Sequence, residues 1–217
     1  MKYVACITVA LLTVFLSACL DSQPRSKAVY MLLDTSGTYT QELDKARRIS
    51  NYLLATLDSG DSLAVARIDS ASFSEKDIVA KVTFDARPST TNEQKRAFKR
   101  NLDEFVAVST KGASHTDITG GVLQAVEYLN ETQASERYIL IFSDLEEDLV
   151  KGHIRDFPIQ VGDISVVALN VTKLRSDNID PREYMQRLEA WGERITKGGG
   201  VWKVVNDLER LENMLRG

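Results

Sequence analysis

The sequence predicts an α/β protein: a doubly wound, mostly parallel sheet with one antiparallel hairpin strand and helices on both faces. Three observations carry this expectation. Short, almost wholly apolar runs at Ala28 to Leu33, Tyr138 to Phe142 and Ile164 to Val171 have the length and composition of strands buried on both sides. Helical patterns lie between them, the alternation that builds a parallel sheet. The polar stretch from Asp69 to Asp77 joins two further strand-like runs and is too short for a crossover helix, so those two runs pair antiparallel.

Composition sets the limits. The chain has 217 residues, 43% hydrophobic and 27% charged, which suits one globular domain with a substantial core. A formal charge of −4 leaves no basic footprint, so nucleic acid is not an expected partner. Cys6 and Cys19 are the two cysteines, and everything after Leu20 is cysteine-free, which excludes a disulfide framework or a thiolate metal site there.

In order, the first strand covers residues 28–34. From Thr40 to Leu57 the residues Leu43, Ala46, Ile49, Leu53, Leu54 and Leu57 fall on one helical face, and Asp58-Ser59-Gly60-Asp61 breaks the pattern. Ser62 to Ile68 and Ile78 to Phe84 read as the hairpin strands. Thr90-Thr91-Asn92-Glu93-Gln94 reads as a capping box, followed by helical Phe98, Leu102, Phe105 and Val106. A polar loop from Ser109 to Thr116 opens a helix with Ile118, Val122, Ala125, Val126 and Leu129. Tyr138 to Phe142 is a strand ending at Ser143-Asp144, and residues 164–171 form the next. Tyr184, Leu188, Trp191 and Ile195 mark a long helix stopped by Gly198-Gly199-Gly200. Val201 to Val205 is the last strand, and Leu208, Leu211 and Leu215 carry the closing helix. The sequence contains no internal repeat and no second domain.

The N-terminus reads as an address. Lys2 starts an apolar stretch, Val4 to Leu16, too short for a membrane span. Its end, Leu16-Ser17-Ala18-Cys19, resembles a bacterial lipobox, in which cleavage precedes a Cys that becomes lipidated. That resemblance implies a signal peptide over residues 1–18, a lipidated Cys19 with a short tether over residues 19–27, and a folded domain over residues 28–217. Acyl chains on Cys19 would anchor the protein without a spanning helix. Among lipoproteins of Gram-negative bacteria, Asp directly after the Cys marks inner-membrane retention. Leu20 holds that position, so the resemblance implies the outer membrane, facing the periplasm. Asn130 and Asn170 match glycosylation acceptors, which are chance matches in such a protein.

The chemistry centres on Asp34-Thr35-Ser36-Gly37-Thr38. A carboxylate and two hydroxyls at alternate positions follow a buried strand, where open α/β sheets bind ligands. The set suits a small hard cation such as Mg²⁺; equally, Ser36 or Thr38 would cap the next helix. Two other loops share this character: Ser114-His115-Thr116-Asp117-Ile118-Thr119-Gly120-Gly121, which opens a helix, and Ile141-Phe142-Ser143-Asp144, which ends a strand.

In this order and spacing, residues 28–217 resemble a von Willebrand factor A domain with its metal-ion-dependent adhesion site. Tyr184, Arg187, Leu188, Trp191, the Gly cluster and Trp202 resemble the tail of bacterial members. The resemblance implies that Ser36, Thr38 and Thr116 bind Mg²⁺ (or Mn²⁺) directly, with Asp34 and Asp144 mainly behind water. It implies no catalysis, and a partner protein that supplies an acidic residue to the metal. Thr38 replaces the commoner Ser, with an equivalent hydroxyl. Leu145 replaces the Gly that often follows the third-loop Asp.

Neighbouring residues have plainer expected roles: Asp117 as a helix cap, His115 as a solvated loop residue, Glu146-Glu147-Asp148 as an acidic rim, and Trp191 and Trp202 as core. The competing function is a haloacid-dehalogenase-like phosphatase, with Asp34 as nucleophile. Ser36 stands where that family's second Asp, the general acid, belongs. A serine hydrolase lacks its G-x-S-x-G motif. A structural lipoprotein with a metal-free site is the remaining alternative.

Overall fold

The computed structural model describes residues 26–36, 42–109, 112–171, 174, 177 and 179–216. The signal peptide, Cys19, most of the tether, and Thr38 lie outside the described residues.

Six strands form one sheet in the order β3-β2-β1-β4-β5-β6. They are β1 Lys27–Asp34, β2 Ser62–Ile68, β3 Ile78–Thr83, β4 Glu136–Phe142, β5 Ser165–Leu169 and β6 Val201–Val205. The β2–β3 pair is antiparallel and every other pair is parallel, as the short 69–77 connection requires. The helices are α1 Leu43–Thr56, α2 Pro88–Val108, α3 Ile118–Thr132, α4 Pro181–Lys197 and α5 Leu208–Arg216.

The apolar runs are central strands because both of their faces need cover. Along β1, Tyr30 and Leu32 pack with α3 and α4, through residues such as Val122, Leu129, Trp191 and Ile195. The alternate residues Val29, Met31 and Leu33 pack with α1, α2 and α5, through Leu53, Leu102, Leu211 and Leu215. Each face is thus one helical layer.

Two details differ from expectation. The capping box expected at Thr90-Thr91-Asn92-Glu93-Gln94 does not form. The second helix starts at Pro88, with no side-chain cap on its N-cap residue Arg87. Pro is suited to a first helical turn, so it moves the start upstream. Gln94, not Glu93, reaches back, and its Oε1 accepts from the Asp85 N–H at 2.9 Å. The second difference is the stretch between β4 and β5. It contains no long regular element and crosses the α3/α4 face as a strap, with Ile159 and Val161 buried. The strap meets the Gly cluster where the Val161 and Gly162 N–H groups donate to the Gly198 carbonyl, at 3.0 and 2.9 Å. A Cβ at Gly198 would collide with the Ile159 carbonyl, so only Gly permits this approach.

Candidate functional site

In the sheet, β1 runs to β2 on one side and pairs with β4 on the other. This reversal of strand order opens a crevice beyond the carboxyl ends of β1 and β4. Register places Leu33 opposite Phe142, so Asp34 and Ser143 emerge side by side. The Ser143 hydroxyl donates to Asp34 Oδ2 at 2.6 Å, and the Ser36 N–H donates to Asp34 Oδ1 at 2.8 Å. Asp34 has no exposed surface, and both of its oxygens are held in place.

The first two loops meet through a short parallel bridge between Ser36 and Ala113, where the Ala113 N–H donates to the Thr35 carbonyl at 2.7 Å. The Thr35 hydroxyl bonds the Ile68 carbonyl at the end of β2. The second and third loops meet at Thr116 and Asp148, which exchange backbone hydrogen bonds of 2.7 and 3.0 Å.

Asp144 is 4% exposed. Burial raises its pKa to about 6, and the Asp34 carboxylate pushes in the same direction. Among the described residues neither carboxylate has an ion-pair partner, although Arg187 lies near enough to Asp144 to offset part of the shift. Burial beside Asp34 thus makes the charged form of Asp144 costly, and a cation in the crevice would relieve that cost. Among the described residues no cluster of three or more His, Cys, Asp or Glu side chains could hold a metal. Hydroxyl oxygens beside the two acids are the further donors that these loops offer a cation. That all-oxygen, carboxylate-poor set fits Mg²⁺. Of the expected site residues, Asp34, Ser36, Thr116 and Asp144 lie on the loops at this crevice, and Thr38 lies outside the described residues.

Asp117 caps α3 as expected, its Oδ1 accepting from the Gly120 N–H at 2.7 Å. It also has a partner that sequence reasoning missed. Arg155, on the strap, donates to Asp117 Oδ2 from Nη2 at 2.7 Å and to Asp117 Oδ1 from Nε at 3.2 Å, and to the Ser72 carbonyl at 3.1 Å. A Cβ at Gly120 would strike the Asp117 carboxylate and the Ser72 carbonyl, which explains Gly at this helix start.

The acidic run is not simply a solvated rim. Glu147 caps α3 by accepting from the Thr119 N–H and hydroxyl at 2.6 and 3.0 Å. Asp148 pairs with His115 Nδ1 at 2.9 Å, so His115 is tied to the third loop. Leu145, where the sequence resemblance led to an expectation of Gly, adopts φ of +66° and is buried. The left-handed conformation that the Gly would supply is therefore kept. Its N–H donates to the Ser143 hydroxyl and its carbonyl accepts from the Trp191 indole. Trp191 is core, as expected, and Trp202 packs partly buried against the same cluster.

No family model and no curated protein matches the chain. Solved structures do. BatB from Bacteroides thetaiotaomicron is 14% identical, covers 88% of this chain and 95% of its own, with a TM-score of 0.54. The PilB minor pilin from Streptococcus sanguinis is 11% identical over 91% of this chain and 61% of its own, with a TM-score of 0.52. A von Willebrand factor type A protein from Catenulispora acidiphila is 12% identical over 88% of this chain and 41% of its own, with a TM-score of 0.51. At such identities the likeness establishes the fold, which is von Willebrand factor A-like.

Proposed function

We propose that this chain is a membrane-anchored protein-binding module whose crevice holds Mg²⁺ or Mn²⁺ and captures an acidic side chain of a partner protein. The observation that carries the proposal is the pair of buried carboxylates, Asp34 and Asp144, at the point where strand order reverses. Ser36, Thr38 and Thr116 would supply hydroxyl ligands. Asp34, with both oxygens already accepting hydrogen bonds, suits an orienting role behind water rather than direct ligation. The ion would supply a charge that neutral hydroxyls leave largely uncompensated, and an incoming carboxylate gains from that charge. The chain's own part is to fix the hydroxyls and hold the two acids in place.

Burial of Asp34 weighs against the phosphatase alternative, because a nucleophile needs an approach that a fully covered carboxylate does not offer. Lipidation at Cys19 and an outer-membrane address facing the periplasm complete the reading. They rest on Leu16-Ser17-Ala18-Cys19 and are tested by Cys19→Ala, which should abolish incorporation of a fatty-acid probe.

The metal is tested by thermal unfolding. Saturating Mn²⁺ should raise the melting temperature, because a ligand of the folded state stabilises it by about 2.7 kcal/mol at one hundred times Kd. Thr116→Ala should lose that response while retaining its circular dichroism spectrum. Equal shifts in both proteins would refute the site assignment. Partner capture that survives both EDTA and Asp34→Ala would refute the metal's role in binding.

A further inference from the structure

One face of α4 carries an alternating series. Tyr184, Arg187, Trp191 and Arg194 follow one another three or four residues apart, so they stack along one stripe of the helix. The Arg187 guanidinium lies 5.8 Å from the Tyr184 ring centroid, and that of Arg194 lies 4.8 Å from the Trp191 centroid. Each cation therefore rests on an aromatic face of the preceding turn, which restrains the long side chain before it reaches its target.

The targets are the loops of the crevice. Arg187 Nε donates to the Asp144 carbonyl at 2.9 Å, and its Nη2 pairs with buried Asp177 at 2.8 Å. Trp191 Nε1 donates to the Leu145 carbonyl at 3.1 Å. Arg194 Nη2 donates to the Thr119 hydroxyl at 3.0 Å and to the Arg155 carbonyl at 3.3 Å. The Arg187 side chain is 10% exposed, so its bonds are shielded from competing water. Two consecutive carbonyls of the third loop are thus held by consecutive donors of one helix. The next donor along holds both the start of α3, just after Thr116, and the strap that carries Arg155.

The geometry points to this stripe as the positioning element of the crevice. Arg187 and Trp191 hold the backbone that carries Asp144, and Arg194 fixes the second loop relative to the third. Leu145 shows why such a hold is needed. A non-glycine residue at positive φ relaxes toward other conformations unless its surroundings over-determine it. The Ser143 hydroxyl on its N–H and the Trp191 indole on its carbonyl do so from both sides. None of the four side chains is an expected metal ligand. The stripe would act on affinity only through the loops it holds, and in that respect the inference rests on the metal reading above.

The test combines two readouts on the folded protein. Mn²⁺ affinity is measured by titration calorimetry, well below the unfolding temperature of each variant. Amide exchange at Leu145 and Glu146 is measured without metal. Arg187→Ala should weaken Mn²⁺ about 10–100-fold, as expected when a group supporting a ligand is lost. Trp191→Phe keeps the ring but removes the donor, and should weaken Mn²⁺ by a smaller factor. Both should speed amide exchange at Leu145. Leu211→Ala, on the opposite sheet face, should lower stability and leave both readouts unchanged. If Arg187→Ala fails to fold, Trp191→Phe and Arg194→Gln carry the test. Wild-type affinity and wild-type exchange in these variants would overturn the inference. If wild type bound no Mn²⁺ while Trp191→Phe still exchanged faster, the metal reading would fall and the hold on the loop would stand.

Discussion

The two faces of the sheet are built by different means. On the α1/α2/α5 face the helices pack mainly through apolar side chains, and a cavity of about 300 Å³ opens between Ile49, Phe142, Leu169 and Leu211, with Lys45, Asn170 and Asp207 at its polar side. On the α3/α4 face an apolar core is overlaid, toward the crevice, by polar clamps: Asp117 with Arg155, Asp177 with Arg187, and Glu147 with Thr119. Apolar burial is non-directional and tolerates small adjustments. Hydrogen-bonded ion pairs lose their value when geometry changes. One face thus holds the protein together, while the other fixes where particular atoms lie.

Four substitutions sharpen this contrast. The largest expected loss is Arg155→Ala, which leaves the fully buried Asp117 carboxylate unpaired and should cost about 3–5 kcal/mol in urea unfolding. Metal affinity should fall with it, because Asp117 directly follows Thr116. Next, Leu211→Ala removes a residue that is 1% exposed and should cost about 2–3 kcal/mol without changing metal affinity. A loss of affinity there would erase the distinction between the faces. Leu145→Gly is a closer balance. It relieves a left-handed conformation worth about 1–2 kcal/mol. It also gives up burial worth about 1.5–3 kcal/mol and adds backbone entropy to the unfolded chain, so a net loss of about 1 kcal/mol is expected. Stabilisation in a melting experiment would mean that strain outweighs packing. The smallest effect belongs to Lys197→Ala. It breaks an exposed pair with Glu193 on the outer side of α4, and should cost at most about 0.5 kcal/mol with unchanged metal affinity.

What the sequence revealed follows the same division. Runs such as Tyr30-Met31-Leu32-Leu33 and Ile139-Leu140-Ile141-Phe142 must be buried on both sides, so strand identity and the positions of Asp34 and Asp144 at strand ends were legible. The hairpin was legible from the length of one connection. Arg155 was not, because it sits on an irregular strap and meets Asp117 across 38 residues. The stripe on α4 was half visible. Tyr184 and Trp191 registered as helical periodicity, and Arg187 as part of a familiar tail. Nothing in periodicity said which carbonyls the guanidinium groups would seek. Gln94 was part of the expected capping box, but its partner was not legible, because Pro88 sets the helix start upstream and Gln94 reaches back to Asp85 instead. Leu145 gave a signal that could have been used: a residue standing where Gly is common invites the question whether the backbone still turns as Gly would let it.

The hydrogen bond from Ser143 to Asp34 spans 109 residues of chain. Between those two residues lie α1, the hairpin, α2 and α3. Closing so long a loop costs entropy before any contact repays it, and contacts between distant parts of the chain slow folding. The crevice can assemble only once β4 has docked beside β1. An ion that recognises the assembled crevice stabilises the folded state. Mn²⁺ should therefore slow unfolding, and its contribution to the protein would be a longer lifetime of the folded state.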